Sequence, residues 1–323
     1  MPRTRREMSA SLRASSPEAN AAHGAAFIPR RAPSGSSAGA IRHHYDVAPS
    51  FYRLWLGEGL VYSGALWAER DTLDDAQRRK LDHHVAESSA AGKRRVLDIG
   101  CGWGALLARL VGHHGVQEAV GLTLSPSQAD WIARRHDPRV DVRLESWADH
   151  RPTEPYDAII SIGAFEHFAK TEDDDGQKVA SYAEFFQKCR DWLRPDGRLS
   201  LQTFAYGSAR RREAGLSSEA TKFLEEQIFP ETDPPRLANI AEAVEGTFEI
   251  VRLRNDRLDY ARTCREWLDR LKAHRAEAAI EVGEETVAKY ERYLTYSYIG
   301  FRTGRLDLYR ITLAPVPKAW TPT

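Results

Sequence analysis

Three glycines at alternate positions, Gly100, Gly102 and Gly104, close the run VLDIGCGWG that begins at Val96. Val96 to Ile99 is a short apolar stretch of the kind that forms a buried strand, and the residues from Ala105 onward carry helical spacing. The glycines therefore mark a strand-to-helix turn. They let the backbone turn tightly and come close to a ligand, while the start of the helix offers free amide donors. A dinucleotide site would show G-x-G-x-x-G and an acid about 20 residues further on. Here the spacing is G-x-G-x-G, and the second strand ends in Gly121-Leu122-Thr123-Leu124-Ser125 without a carboxylate. A Walker loop is absent too, because no Gly-Lys-Ser/Thr follows. The pattern reads instead as the turn that holds S-adenosylmethionine (SAM), with Asp98 at the end of its strand. A tight turn without a ligand is the alternative, but three alternate glycines would then cost chain entropy for no gain in packing.

A second group of residues could move protons or hold an anion. Glu166 and His167 follow the apolar run Ala158 to Ile162, and so stand beyond the carboxyl end of a predicted strand, where open α/β sheets bind ligands. The plain structural roles are a helix-capping carboxylate for Glu166 and a buried orienting imidazole for His167. The strand-end position favours chemistry for Glu166. Phe165, Phe168, Phe204, Tyr206 and Tyr260 could turn aromatic faces toward a cation, each worth about 0.5–2 kcal/mol, or could simply be core.

These groups need a frame. Alternating short apolar runs and helical patterns give strands at 95–99, 119–124, 140–145, 158–162 and 198–204, separated by helices at 105–112, 127–136 and 182–193. That rhythm predicts a doubly wound α/β domain with a parallel sheet covered on both faces. An amphipathic helix over 72–90, with Leu73, Ala76, Leu81 and Val85 on its apolar side, leads into the first strand. Residues 206–300 break the rhythm with charged helical sequence and read as a helical cap. Asp307 to Leu313 alternates like a strand and could add an edge to the sheet. Residues 1–40, rich in Ala, Ser, Arg, Gly and Pro, read as a disordered tail, leaving 41–323 as the folded domain.

A chain of 323 residues with 42% hydrophobic composition can bury a large core without metal or disulfide staples. Lys plus Arg and Asp plus Glu number 46 each, so no overall field recruits nucleic acid. Cys101, Cys189 and Cys264 are widely spaced and odd in number, which suggests neither a disulfide framework nor a zinc site, and fits a reducing cytoplasm. No apolar run reaches the roughly 18 residues of a membrane span, so at most peripheral membrane contact is expected. The acidic run Glu172 to Asp175 reads as a solvated insertion, and no metal ligand set stands out. The sequence sets no oligomeric state.

Several segments, in order, resemble the cyclopropane-fatty-acid synthase and mycolic acid cyclopropane synthase family of SAM-dependent methyltransferases. They are HHYDVAPSFYRLWL at His43, VYSGALW at Val61, LDIGCGWG at Leu97, GLTLSPSQ at Gly121, SIGAFEHF at Ser161 and YERYLTYSYIGFRTGRLDLYRITL at Tyr290. The resemblance covers about Ile41 to Leu313. It implies the seven-stranded class I methyltransferase sheet, Rossmann-like, with a lipid-accepting helical cap. It implies that Tyr62 and Ser63 touch the methionine end of SAM, that Gly100 and Gly102 form the turn, and that Gln128 lies near the ribose. Thr123, Leu124 and Trp147 would then surround the nucleoside, although Trp147 reads equally well as core.

Family members that methylate an alkene use a carboxylate, a histidine, a tyrosine and two backbone amides to hold a bicarbonate base. The matching positions are Glu166, Gln202 and Tyr260, with amides at Gly64 and Phe204. Two departures stand out: Gln202 replaces the histidine, and Gly64 replaces the family's cysteine. An amide can hydrogen-bond an oxyanion but cannot titrate near neutrality as imidazole does. The base is either bicarbonate held by Glu166, Gln202 and Tyr260, or Glu166 itself.

The replaced histidine places carbon methylation of an unsaturated lipid or isoprenoid-type small molecule first among the expected activities, with cyclopropanation of unsaturated acyl chains a close second. Glu166 with His167 would also suit a small-molecule N-methyltransferase, the pairing used by related enzymes. A SAM-binding module without activity is the remaining reading. Arg210, Arg211 and Arg212, with Phe223, Leu224, Ile228 and Phe229 beyond them, could meet a lipid surface or grip a diphosphate, and a solvated helix is the plain alternative.

Overall fold

The computed structural model describes residues 49–170, 172–208, 223 and 233–317. The predicted tail, the start of the first family segment, Arg210 to Arg212, Leu224, Ile228 and Phe229 lie outside the described residues. Two helices, α1 (Pro49–Leu56) and α2 (Leu73–Glu87), precede the sheet. Strand β1 (Arg95–Ile99) leads through α3 (Ala105–His113) to β2 (Glu118–Thr123), and α4 (Pro126–Ala133) connects to β3 (Val140–Leu144). Then come β4 (Tyr156–Ile162), a single 3-10 turn (Phe165–His167), α5 (Asp175–Trp192) and β5 (Leu193–Tyr206). After α6 (Leu237–Ala243) and β6 (Phe248–Asn255), three helices follow in succession: α7 (Arg257–Ala273), α8 (Arg275–Val282) and α9 (Glu284–Arg302). Strand β7 (Leu306–Pro315) completes the described fold.

Among the described residues the strands form one seven-stranded sheet in the order β3-β2-β1-β4-β5-β7-β6. The strands from β3 to β5 pair in parallel, and β7 runs antiparallel to both β5 and β6. The chain winds outward from β1 through β2 to β3, then resumes on the other side of β1 with β4. Ligands of such sheets bind beyond the carboxyl ends of the strands that flank this reversal. The glycine turn after β1 and Glu166 after β4 stand there.

Successive residues of a strand face opposite sides of a sheet. Val96, Ala119, Ala158 and Ile160 accordingly pack with Leu81 and Val85 of α2 and Leu107 and Leu110 of α3. Their neighbours Leu97, Val120, Leu122 and Ile159 pack on the opposite face, with Phe185 and Phe186 of α5 and Ile240 of α6. The predicted doubly wound domain is the one observed. A third cluster is helical and aromatic: Phe51, Tyr52 and Trp55 of α1 pack with Trp267 of α7 and with Tyr290 and Tyr293 of α9, and Trp103 joins them from the glycine turn.

Two expectations change. The stretch 206–300 is not helical throughout, since it contains β6, whose residues after Phe248 are all exposed. Its sequence, FEIVRLRN, lacks a buried face, so charge rather than strand periodicity dominates its pattern. Nor is β7 an edge. It pairs with β5 on one side and β6 on the other, and its residues from Asp307 to Leu313 are buried. The acidic run has a local purpose: Asp174 accepts from the Gln177 amide and the Gln177 side chain accepts from the Asp174 amide, a capping box that starts α5. No helix among the described residues is long and apolar enough to cross a membrane. All three cysteines are free and buried.

Candidate functional site

The turn after β1 borders a cleft of about 1140 Å³, counting its open mouth. Gly100 and Gly102 line it, with Asp98 from near the end of the strand. Gly102 has φ +53°, and a side chain there would meet no protein atom within 4 Å, so its face is left open toward the cleft. Gly104 does something else. It is absent from the lining residues, it begins α3 with φ +81°, and a Cβ on it would lie 2.7 Å from Ile132 Cγ1. The third glycine therefore lets α3 approach α4, which is a packing role.

The remaining expected cofactor positions come together on the same cleft. Tyr62 and Ser63 line one wall, and Thr123, Leu124 and Gln128 another. Thr123 Oγ1 donates to Gln128 Oε1 at 2.7 Å. That bond uses the amide oxygen and leaves the Gln128 Nε2 hydrogens for a ligand. Trp147 packs against Phe168 and Phe185 at ring distances of 5.1 and 5.4 Å, and it also borders the cleft. Burial pushes the Asp98 carboxyl up to about 7, with Lys80 opposing that rise. Trp103 Nε1, buried and without a hydrogen-bond partner among the described residues, belongs to a residue on the same wall. With Gly102 open, an orphaned donor, amide donors at Gln128 and both signs of charge, the cleft fits an adenosyl cofactor with a zwitterionic tail.

A smaller pocket of about 380 Å³ adjoins it, sharing Tyr62, Ser63, Gly163 and His167. Glu166, Gln202 and Tyr260 complete this inner pocket, so the four residues expected at the reaction centre line one space. They arrive from separate elements: Glu166 and His167 from the turn after β4, Gln202 from β5, Tyr260 from α7. Gly163 N donates to the Gln202 carbonyl at 2.9 Å and thereby locks the turn to β5.

Burial sets the protonation of the pair after β4. Burial pushes the Glu166 carboxyl up to about 8, opposed in part by a backbone hydrogen bond and then by Thr203, so it is mostly protonated at pH 7. Thr203 Oγ1 donates to Glu166 Oε2 at 3.1 Å and lies 2.9 Å from the Phe204 carbonyl, which it also serves as donor. One hydroxyl hydrogen cannot satisfy both oxygens, and a proton on Glu166 removes the conflict. Burial also pushes His167 down to about 4, so its imidazole is neutral. The two therefore form no ion pair at neutral pH.

Gln202 is held by groups that sequence reasoning missed. Arg310 Nε donates to Gln202 Oε1 at 3.0 Å, and Gln202 Nε2 donates to the Gly64 carbonyl at 3.3 Å. His84 Nε2 lies 3.3 Å from the same Oε1, with Ser200 Oγ 2.8 Å from its Nδ1. Arg310 further donates to the Gly64 and Ala65 carbonyls at 3.1 and 2.9 Å and pairs with Asp256. One guanidinium thus ties β7, β5, the segment before α2 and the start of α7, which between them carry Gln202, Ser63 and Tyr260.

Gly64 stands where the resemblance calls for cysteine, and a side chain added here would be crowded. An ideal Cβ on it would lie 2.8 Å from both Tyr260 Cγ and Leu308 Cδ2. The Tyr260 ring, stacked on Phe301 at 4.3 Å, occupies the volume that a side chain would need. Tyr293, Thr203 and Leu308 also line the inner pocket without having been singled out. Lys80 and His84 were missed as well, because a charged or polar residue on a helix reads as solvated until another element covers it. They lie one turn apart on α2, next to its apolar stripe, and neither has any exposure.

Comparison with known proteins points the same way. Residues 34–311 match the family model described as mycolic acid cyclopropane synthetase. The chain is 35% identical over 288 residues to cyclopropane mycolic acid synthase MmaA2 of Mycobacterium tuberculosis, covering 85% of this chain and 96% of that one. The solved structure of MmaA2 from the same organism superposes with a TM-score of 0.78 at 33% identity, over 87% of this chain and 99% of that one. That of mycolic acid cyclopropane synthase CmaA1, complexed with SAH and CTAB, gives a TM-score of 0.77 at 31% identity, over 86% and 98%.

Proposed function

The chain belongs to the mycolic acid cyclopropane synthetase family of SAM-dependent methyltransferases, and from that premise we propose that it converts a carbon–carbon double bond of an acyl chain into a cyclopropane. The observation that carries this reading is the inner pocket: Glu166, His167, Gln202 and Tyr260 meet behind the glycine-turn cleft, against walls shared with it. Relatives named as cyclopropane synthases favour ring formation over the simple carbon methylation that the replaced histidine suggested. A small-molecule N-methyltransferase would want a charged Glu166 beside its amine, and burial keeps that carboxyl protonated at pH 7.

SAM, when bound, supplies an electrophilic methyl group, and the residues around it orient and shield. Gly100 and Gly102 give the backbone room, Gln128 presents amide hydrogens to ribose hydroxyls, and Trp147 with Leu124 flanks the nucleoside. Tyr62 stays a phenol, since burial and neighbouring tyrosines push its pKa upward. Removing a proton from the newly added methyl closes the ring, so the base must sit beside that carbon. The inner pocket suits a bound bicarbonate as that base. Protonated Glu166, the phenol of Tyr260 and the second Gln202 Nε2 hydrogen are donors suited to an oxyanion, and Glu166 can itself act as base only when it has lost its proton. Aromatic faces at Tyr260 and Phe204 stabilise positive charge on carbon by about 0.5–2 kcal/mol each.

We read α7 and α9 as part of what covers the acceptor, because the aromatic cluster they form with α1 adjoins the pockets through Tyr62 and Tyr260. The three free thiols accord with a cytoplasmic setting. Incubation with SAM and monounsaturated acyl lipids, with prenyl diphosphates and amines as competitors, tests the proposal by proton NMR of the products. Upfield cyclopropyl protons from the acyl lipid are expected. A methylated alkene without a ring, or turnover confined to prenyl diphosphates or amines, would overturn it.

A further inference from the structure

Helix α2 grips the segment Val61 to Ser63 from one side. Gln77 and Lys80 are three residues apart and so share a face. Gln77 Nε2 donates to the Ser63 carbonyl at 2.9 Å, and Lys80 Nζ donates to Ser63 Oγ at 2.8 Å. Lys80 has no solvent exposure, yet Lys80, Ser63 and Asp98 all border the glycine-turn cleft.

Two consequences follow from the chemistry of these groups. An ammonium offers only donors, so Ser63 Oγ accepts from Lys80 and its own hydrogen is free to point elsewhere. Among the described residues no acceptor takes that hydrogen. The charges are also unevenly matched. Arg310 has Asp256 against it, whereas the carboxylate that offsets Lys80 is Asp98, with which it forms no ion pair among the described residues. Burial pushes Lys80 well down and Asp98 up to about 7, so an anionic group brought against Ser63 would favour the charged form of Lys80.

We propose that Lys80 is a positioning residue for the amino-acid end of the cofactor: it turns the Ser63 hydroxyl into a donor for the carboxylate of that end and supplies positive charge behind it. Asp98, on the same cleft, suits the ammonium of the zwitterion. The proposal rests on SAM occupying the glycine-turn cleft, and it adds a residue that the motif around Gly100 does not contain.

Calorimetric titration with two ligands tests it: S-adenosylhomocysteine, which has the amino-acid end, and 5′-methylthioadenosine, which lacks it. Lys80→Met keeps side-chain length and removes the charge. It is expected to weaken S-adenosylhomocysteine roughly tenfold, the effect of losing a charge-assisted hydrogen bond, and to leave 5′-methylthioadenosine unchanged. Ser63→Ala is expected to show the same selective loss, and the double variant to bind no more weakly than the worse single one, because the two act in series. Equal losses for both ligands in Lys80→Met, unchanged S-adenosylhomocysteine affinity, or additive losses in the double variant would overturn the proposal. A wild-type protein that binds neither ligand would overturn the SAM reading beneath it instead.

Discussion

Arg310 Nε and Gln202 Oε1, 3.0 Å apart, fix which way an amide faces. A guanidinium has no acceptor and the Gly64 carbonyl has no donor, so Gln202 must turn its oxygen to Arg310 and its nitrogen to Gly64. The pocket side of Gln202 is thereby an N–H donor. Arg310→Lys keeps the charge but cannot reach Gln202, Gly64, Ala65 and Asp256 at once. It is expected to lower the melting temperature by an amount equivalent to about 1–3 kcal/mol, and to reduce kcat while S-adenosylhomocysteine binding persists. Turnover equal to wild type would refute the orienting role.

Gln202→His would restore the family's imidazole but set it against Arg310. A cation beside imidazole disfavours the protonated form. The new histidine, buried as Gln202 is, is therefore expected to titrate below the usual value of about 6.5, as measured by NMR, and to rise part of the way back when Arg310→Gln is added. An unshifted titration in the single variant would show that the guanidinium does not face position 202.

Glu166 links activity to stability. Its carboxyl is held at about 8, against an ordinary 4.5, so the folded state prefers the proton. As pH rises from about 4.5 toward 8 the unfolded chain ionises and the folded one resists, and the residue progressively weakens the fold. Below about 4.5 both states are protonated and the penalty vanishes. Glu166→Gln is expected to raise stability at pH 8 by on the order of a few kcal/mol and scarcely at all at pH 4. Turnover should be lost while S-adenosylhomocysteine still binds. Thermal melts across pH together with product assays check both halves, and a stability gain that grew toward low pH would contradict the assignment.

Gly64→Cys would bring back the family's residue at the expense of Tyr260. With Cβ only 2.8 Å from the ring and from Leu308, the tyrosine must move off its stack on Phe301. Overpacking of this kind costs about 1–3 kcal/mol. A lower melting temperature and reduced kcat with unchanged cofactor affinity are expected. Paired with Tyr260→Phe, which keeps the clash, the stability loss should remain.

The glycine turn separates into contact and packing. Both glycines have positive φ, so alanine strains the backbone at either; Gly104→Ala adds the contact with Ile132 and is expected to destabilise the protein more, whereas Gly102→Ala, open to the cleft, should also weaken S-adenosylhomocysteine. Ile132→Ala should relieve part of the Gly104→Ala loss. The absence of relief would place the cause in backbone strain alone.

The amino-acid order by itself determined the parallel, doubly wound part of the sheet, because strands buried on both faces are continuous apolar runs and the intervening helices carry their own period. It also located the glycine turn, Glu166, His167, Gln202 and Tyr260, since motifs at strand ends and a resemblance spread along the chain both survive in linear form. Strand β6 was hidden, because an exposed edge strand has no buried face to leave a pattern. The burial of Lys80, His84 and Arg310 was hidden for a different reason. A charged residue reads as solvated until another element covers it, and only the tertiary structure brings α2, β5 and β7 together. The same assembly sets the crowding at position 64, where a tyrosine almost 200 residues away in sequence comes within van der Waals reach.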